Sequence, residues 1–252
     1  MCLIAVSYFA TPNYPLIVAA NRDEAYERPA QPAHFWGENK NILAGRDQKA
    51  GGSWLGVTKQ GKLAAVTNIR KTEQQKKRSR GQLVTDVLTA TSKVETTCAT
   101  IKEESDYYNG FNLLAYEREE FLYLSSETRK LEKLQPGLHV ISNAERSISW
   151  PKTKRATERF QEAIDTYPED ELAAPLFNLL SDRKQPKTSH LPDTGVGIET
   201  EKLLAPIFIK SDSYGTRCQT VLFFHKSGKI SFYEKRIEEG WQLNAFEFFT
   251  KN

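Results

Sequence analysis

The chain holds one methionine, Met1, and three cysteines, Cys2, Cys98 and Cys218. An odd cysteine count without Cys-x-x-Cys spacing excludes a disulfide framework and a zinc finger, and makes a reducing, cytoplasmic setting the expectation. No stretch approaches the roughly 20 apolar residues of a membrane helix. The apolar run at 3–9 is too short, and lacks the preceding basic region, for a secretory signal. The four histidines, His34, His139, His190 and His225, form no His-Glu-x-x-His pattern, so no metal site is expected, and they read as core or surface residues rather than haem ligands. Neither a Gly-x-Ser-x-Gly elbow nor a Rossmann glycine pattern occurs, and no cofactor is expected. Charge of one sign is also missing. A net charge of +3 is far from the basic balance of a nucleic-acid-binding domain. What remains is 252 residues of ordinary soluble composition, 39% hydrophobic and 27% charged, without repeat or linker. It is read as a single domain over 1–252 with a sizeable core.

Strand-forming runs dominate. Leu3–Tyr8 and Leu16–Ala20 flank the turn segment 10–15, which contains Pro12 and Pro15. Both runs are apolar on both faces, as in a sheet covered on two sides. Residues 24–50 read as irregular, with Pro29 and Pro32. Hairpins follow at Trp54–Lys59 with Lys62–Asn68, at Asn112–Tyr116 with Phe121–Ser125, and at Arg217–His225 with Ile230–Arg236. Single strands are expected at Gly137–Ser142 and Ile207–Lys210. Helices are expected over Gln82–Thr91, Val94–Tyr107, Pro151–Ile164 and Glu169–Leu180. Hairpins interleaved with helices give an α+β fold of antiparallel sheets, and two stacked sheets with helices outside suit the doubly apolar first strands.

The first hairpin carries the chemistry. Pro15 cannot donate to a ladder, so pairing starts at Leu16. If Tyr8 is its partner, Cys2 falls opposite Arg22; if Phe9 is, Cys2 falls opposite Asp23. Either register sets Cys2 against Asn21-Arg22-Asp23-Glu24. Removal of Met1 would expose an α-amine of pKa about 7.7–8.0, able to take the proton of a thiol of about 8.5. Arg22 would favour the thiolate. The structural alternative is a small buried apolar cysteine beside a surface ion pair.

With these residues in view, the chain resembles the NRDE-motif family, which includes the transport and Golgi organisation protein 2-like proteins. The likeness spans nearly the full length. It rests on Met1-Cys2-Leu3-Ile4, Gly51-Gly52-Ser53-Trp54-Leu55-Gly56-Val57, Thr67-Asn68-Ile69-Arg70, Ser79-Arg80-Gly81, Ser142-Asn143-Ala144, Trp150-Pro151-Lys152, Leu191-Pro192-Asp193-Thr194-Gly195 and Tyr214-Gly215-Thr216-Arg217. That family is similar to N-terminal-nucleophile hydrolases, and the resemblance implies a four-layer αββα sandwich. It further implies Cys2 as nucleophile with Arg22 and Asp23 as its neighbours, Asn68 and Asn143 as oxyanion donors, and Arg217 as a late site arginine. One departure stands out. In those hydrolases the arginine and aspartate are spaced apart, whereas here they are adjacent and, on a regular strand, point to opposite faces.

The function this implies is hydrolysis of a small acyl amide. The alternative is binding or trafficking of a hydrophobic anionic ligand such as acyl-CoA, a lipid or haem. For that reading the basic loop 70–80, with Lys71, Lys76, Lys77 and Arg78, is a candidate anion contact; solvated surface is the plainer reading. Oligomeric state is left open.

Overall fold

The structure is a computed structural model and describes residues 2–70, 78–237, 240 and 242–251, with the Cys2 side chain outside that description. Loop residues 71–77, which include Lys71, Lys76 and Lys77, and also Met1, lie outside the described residues.

Two antiparallel sheets form the middle of the molecule. One has the order β10-β1-β2-β11-β12-β13, built from β1 (Cys2–Tyr8), β2 (Leu16–Ala25), β10 (Gly137–Ile141), β11 (Tyr214–Phe224), β12 (Lys229–Arg236) and β13 (Gln242–Phe249). The other is a meander of β3 (Ala30–Phe35), β4 (Ile42–Asp47), β5 (Leu55–Thr58), β6 (Leu63–Asn68), β7 (Phe111–Glu117), β8 (Glu120–Ser125) and β9 (Lys130–Lys133). Helices α1 (Gly81–Thr89) and α2 (Val94–Glu103) cover the second sheet. Helices α3 (Pro151–Thr166) and α4 (Ala173–Leu180) cover the first, and α5 (Ile198–Leu204) follows.

Strand alternation explains the layers. Ile4, Val6, Leu16 and Val18 meet Leu43, Leu55, Val57 and Leu114 between the sheets. Their neighbours Leu3, Ala5, Ile17 and Ala19 face Phe160, Ala163, Leu176 and Leu180 of the helices. On the far side Ala64, Val66 and Leu113 pack on Leu83, Val87 and Cys98. Three apolar seams hold four layers, so both faces of the first strands are buried, as their composition implies. The result is the expected four-layer αββα sandwich.

Several boundaries differ from the sequence reading. The stretch 24–50 is not irregular: it completes β2 and forms β3 and β4, with a register shift between Gln31 and His34 around Pro32. Residues 207–210 form no strand. Ile207, Phe208 and Ile209 are buried there, but their backbone is tied by other partners: Asn21 Nδ2 donates to Ile207 O, the Phe208 amide to Asp182 O, and the Ile209 amide to Thr216 Oγ1. The last hairpin gains β13, whose Phe246 and Phe248 close the seam against Phe35. Among the described residues no helix is long and apolar enough to cross a membrane.

Candidate active site

The site grows from the far end of β2, which continues through Asn21-Arg22-Asp23-Glu24 to Ala25. Pairing with β1 sets Tyr8 against Leu16 and Cys2 against Arg22, the register of the longer loop. Alternation then sends successive side chains of the tetrapeptide to opposite sides. Asn21, 1% exposed, donates from Nδ2 to Leu180 O and Ile207 O, both at 2.9 Å, and so pins β2 to the end of α4. Arg22 points between the sheets, its guanidinium 4.3 Å from the Trp54 ring centroid and 3.4 Å from Asp47 Oδ2. Asp23 turns to the helix side, where its Oδ1 accepts from Thr216 Oγ1 at 2.6 Å. Glu24 returns to the Arg22 side and lies 3.9 Å from Arg28.

Asp47 is the hub beneath Arg22. It receives Arg28 Nε at 2.6 Å and Arg28 Nη2 at 3.2 Å, and its Oδ1 accepts from the Lys49 and Ala50 amides. Burial works against its charge, yet the Arg28 and Ala50 hydrogen bonds hold its carboxyl below the usual aspartate range. Asp23 shifts the other way. Burial drives its pKa up, against the pull of Lys152, the Thr216 hydrogen bond and Arg22.

A cavity of about 310 Å³ opens beside this strand end, lined in part by Arg22, Asp23, Glu24, Asn68 and Arg80. Gly52 sits where the backbone of Gly81 approaches so closely that a Cβ would lie 2.5 Å from the Gly81 carbonyl carbon, so its small size serves packing of the β5 approach against the start of α1. A larger cavity, about 710 Å³, lies at the opposite end of the sandwich among the turns containing Gly61, Glu119 and Gly228, and none of the Asn21–Glu24 segment lines it.

Of the residues singled out in the sequence, Arg22, Asp23 and Asn68 thus share one cavity. Asn143 reaches the same end of the sandwich. It lies two residues beyond Ile141, whose ladder partner Ile4 is two residues from Cys2, and its Nδ2 donates to Asn68 O at 2.9 Å. Segment 142–144 is strapped to the second sheet: Thr67 Oγ1 and Asn112 Nδ2 donate to Ser142 O, Asn112 Nδ2 also to Ala144 O, and the Arg70 amide to Asn143 O. Arg217 does not line the cavity. It is the extra residue of a β-bulge, because Thr216 pairs with Asp23 while Cys218 pairs with Arg22. Its Nη1 donates to Ala25 O at 2.7 Å and to Arg28 O at 2.9 Å, behind Arg22 and close to Cys218 and Glu234. The bulge thus interrupts the alternation of β11 between Thr216 and Cys218. His139 bonds Gln135 O, and His190 lies in a separate groove with Trp150.

Three contributors escaped the sequence reading: Asp47, Trp54 as the platform for Arg22, and Lys152, which is 4% exposed and donates to Asn143 Oδ1. Trp54 and Lys152 sit in segments that carry the family resemblance, but nothing local assigns them a partner.

Comparisons agree with this architecture. The family model described as Transport and Golgi organisation 2 matches residues 1–239. The mouse Transport and Golgi organization 2 homolog is 32% identical, covering 98% of this chain and 99% of its own. The Drosophila melanogaster Transport and Golgi organization protein 2 is 23% identical, covering 94% of this chain and 92% of its own. Among solved structures, a Caenorhabditis elegans ortholog of N-acylethanolamine-hydrolyzing acid amidase superposes with a TM-score of 0.53 at 10% identity, covering 88% of this chain and 92% of its own. A variant of the conjugated bile acid hydrolase of Clostridium perfringens gives 0.52 at 11% identity, covering 100% and 94%. These likenesses establish the fold.

Proposed function

The chain belongs to the Transport and Golgi organisation 2 family, and on that premise we propose that it is a cysteine hydrolase of the N-terminal-nucleophile type acting on a small acyl amide. The observation that carries this reading is the pairing of Cys2 with Arg22 at a cavity that Asp23 and Asn68 also line. The structural neighbours, named as an acid amidase and a bile acid hydrolase, support the choice of bond. After loss of Met1, the α-amine of Cys2 takes the thiol proton and the thiolate attacks the amide carbonyl. Asn68 and Asn143 supply donors to the oxyanion, the C–N bond breaks, and the departing amine takes up a proton. Water then cleaves the thioester. Arg22 favours the thiolate and Asp23 holds the amine. Arg217 acts at a distance by fixing the backbone that follows β2. A reducing compartment, the cytoplasm in this reading, keeps the thiol free.

Intact-mass analysis of protein from its native cells is expected to show loss of Met1. Iodoacetamide is expected to label Cys2 faster than Cys98, whose thiol burial pushes up to about 12. Retention of Met1 overturns the proposal. A second reading, carriage of an anionic ligand such as acyl-CoA, a lipid or haem, draws on the Arg22, Arg28, Arg78 and Arg80 side of the cavity. It wins if Cys2→Ala leaves cellular rescue unchanged.

A further inference from the structure

Lys152 is a costly residue where it stands. It is the second residue of α3, at the positive end of a helix of 16 residues, where a cation is disfavoured. Its side chain is also withdrawn from water, since the residue is 4% exposed. Nothing in the packing of α3 on the first sheet asks for charge there, because the helix buries Ala156, Phe160 and Ala163 along that face.

What the ammonium touches explains it. Nζ donates to Asn143 Oδ1 at 3.2 Å and to Leu204 O at 3.3 Å, and its charge attracts the Asp23 carboxylate. An ammonium only donates. The Asn143 amide must therefore present its oxygen to Lys152, an orientation that Ser142 Oγ, donating to the same oxygen at 3.2 Å, reinforces. The NH2 group is then turned the other way, where it donates to Asn68 O, a group that only accepts. One amide hydrogen serves Asn68 O, and Asn143 itself follows Ile141, whose ladder partner Ile4 lies two residues from Cys2.

We propose that Lys152 is a positioning residue that locks the Asn143 amide with its NH2 toward the reacting carbonyl, so that it serves as an oxyanion donor. The proposal rests on the hydrolase reading above. Flipping the amide would set an NH2 against an ammonium, so the lock is one-sided.

Two electrophiles separate this role from a structural one. Iodoacetamide is displaced at carbon, the C–I bond breaking as the C–S bond forms, and no oxyanion develops. An alkyl β-lactone is attacked at its carbonyl: an oxyanion forms, the ring C–O bond breaks, the released alkoxide takes a proton, and a thioester is left on Cys2. Both rates are measured at Cys2 by peptide mapping on the full chain after Met1 removal. Lys152→Met is expected to lower the ratio of lactone to iodoacetamide rate by about 10- to 100-fold, and Lys152→Arg to keep it within about threefold of the unmodified chain. Should Lys152→Met fail to fold, Asn143→Asp, which keeps the oxygen facing Lys152 and removes the NH2, is expected to lower the same ratio. An unchanged ratio in Lys152→Met or in Asn143→Asp overturns the proposal, as does an equal loss of both rates. If the unmodified chain is alkylated at Cys2 but never acylated, the hydrolase reading itself falls.

Discussion

Arg22 is held by contacts of two kinds, an aromatic face and a carboxylate. Trp54 supplies a half-buried π-face and Asp47 an acceptor at 3.4 Å that Arg28 holds more tightly. Arg28 thus takes most of Asp47, leaving the Arg22 charge incompletely neutralised toward its strand partner Cys2. The expected outcome of Arg22→Met is an upward move of about 1–2 pH units in the midpoint of iodoacetamide reactivity at Cys2, with Arg28–Asp47 left in place. A pH profile identical to that of the unmodified chain would remove Arg22 from thiol activation. That Cys2 meets Arg22 or Asp23 was legible because Pro15 limits where the ladder starts and the apolar runs set its length; the choice of Arg22 came from the loop length that only the fold shows. Asp47, Trp54 and Lys152 were not. Their roles depend on strands and helices that meet only after folding, and no local spacing marks a long-range partner.

At the scale of elements, the strap at 142–144 matters most. Asn112 is 1% exposed, and its Nδ2 is shared among Thr67 Oγ1 at 3.0 Å, Ser142 O at 3.2 Å and Ala144 O at 2.9 Å, while Tyr123 donates to its oxygen at 2.8 Å. Asn112→Ala strands several buried partners at once and is expected to destabilise by about 2–4 kcal/mol in urea unfolding. A cost below that of an ordinary surface change would mean that the strap is held by packing instead. The strap's host elements were readable: β6, β7 and β10 follow from alternation and turn residues. β3 and β4 were hidden because Pro29, Pro32 and Gly45 break the usual strand signature, and a register shift between Gln31 and His34 accommodates Pro32. Segment 207–210 misled in the opposite sense. Three buried apolar residues suggest a strand, but Asn21, Asp182 and Thr216 satisfy their backbone.

Across the whole molecule the two sheets are tied at several points by polar groups as well as by the apolar seam. Glu234 of β12 accepts the Ala33 amide of β3 at 2.8 Å, from a position 1% exposed. Burial raises its pKa, with the Ala33 hydrogen bond, Arg236, Arg22 and Cys218 opposing. A carboxyl whose folded pKa lies above its unfolded value of about 4.3 keeps its proton longer in the folded state, so its contribution to stability falls as pH rises through that window. Glu234→Gln has no such loss. Its stability relative to the unmodified chain is expected to improve from pH 4 toward pH 7.5 in urea titrations, and a pH-independent difference would refute the assignment.

The bulge at Arg217 has a consequence for chain length. Thr216 opposes Asp23 and Cys218 opposes Arg22, which are themselves consecutive, so the ladder would close without the intervening residue. Elsewhere in β11 a one-residue deletion would turn one half of the strand inside out. Here it would leave every inward and outward side chain on its own face, while subtracting the guanidinium that fastens Ala25 and Arg28 and the carbonyl that takes the Ile237 amide. Position 217 is a register-neutral insertion in the pairing of β11 with β2.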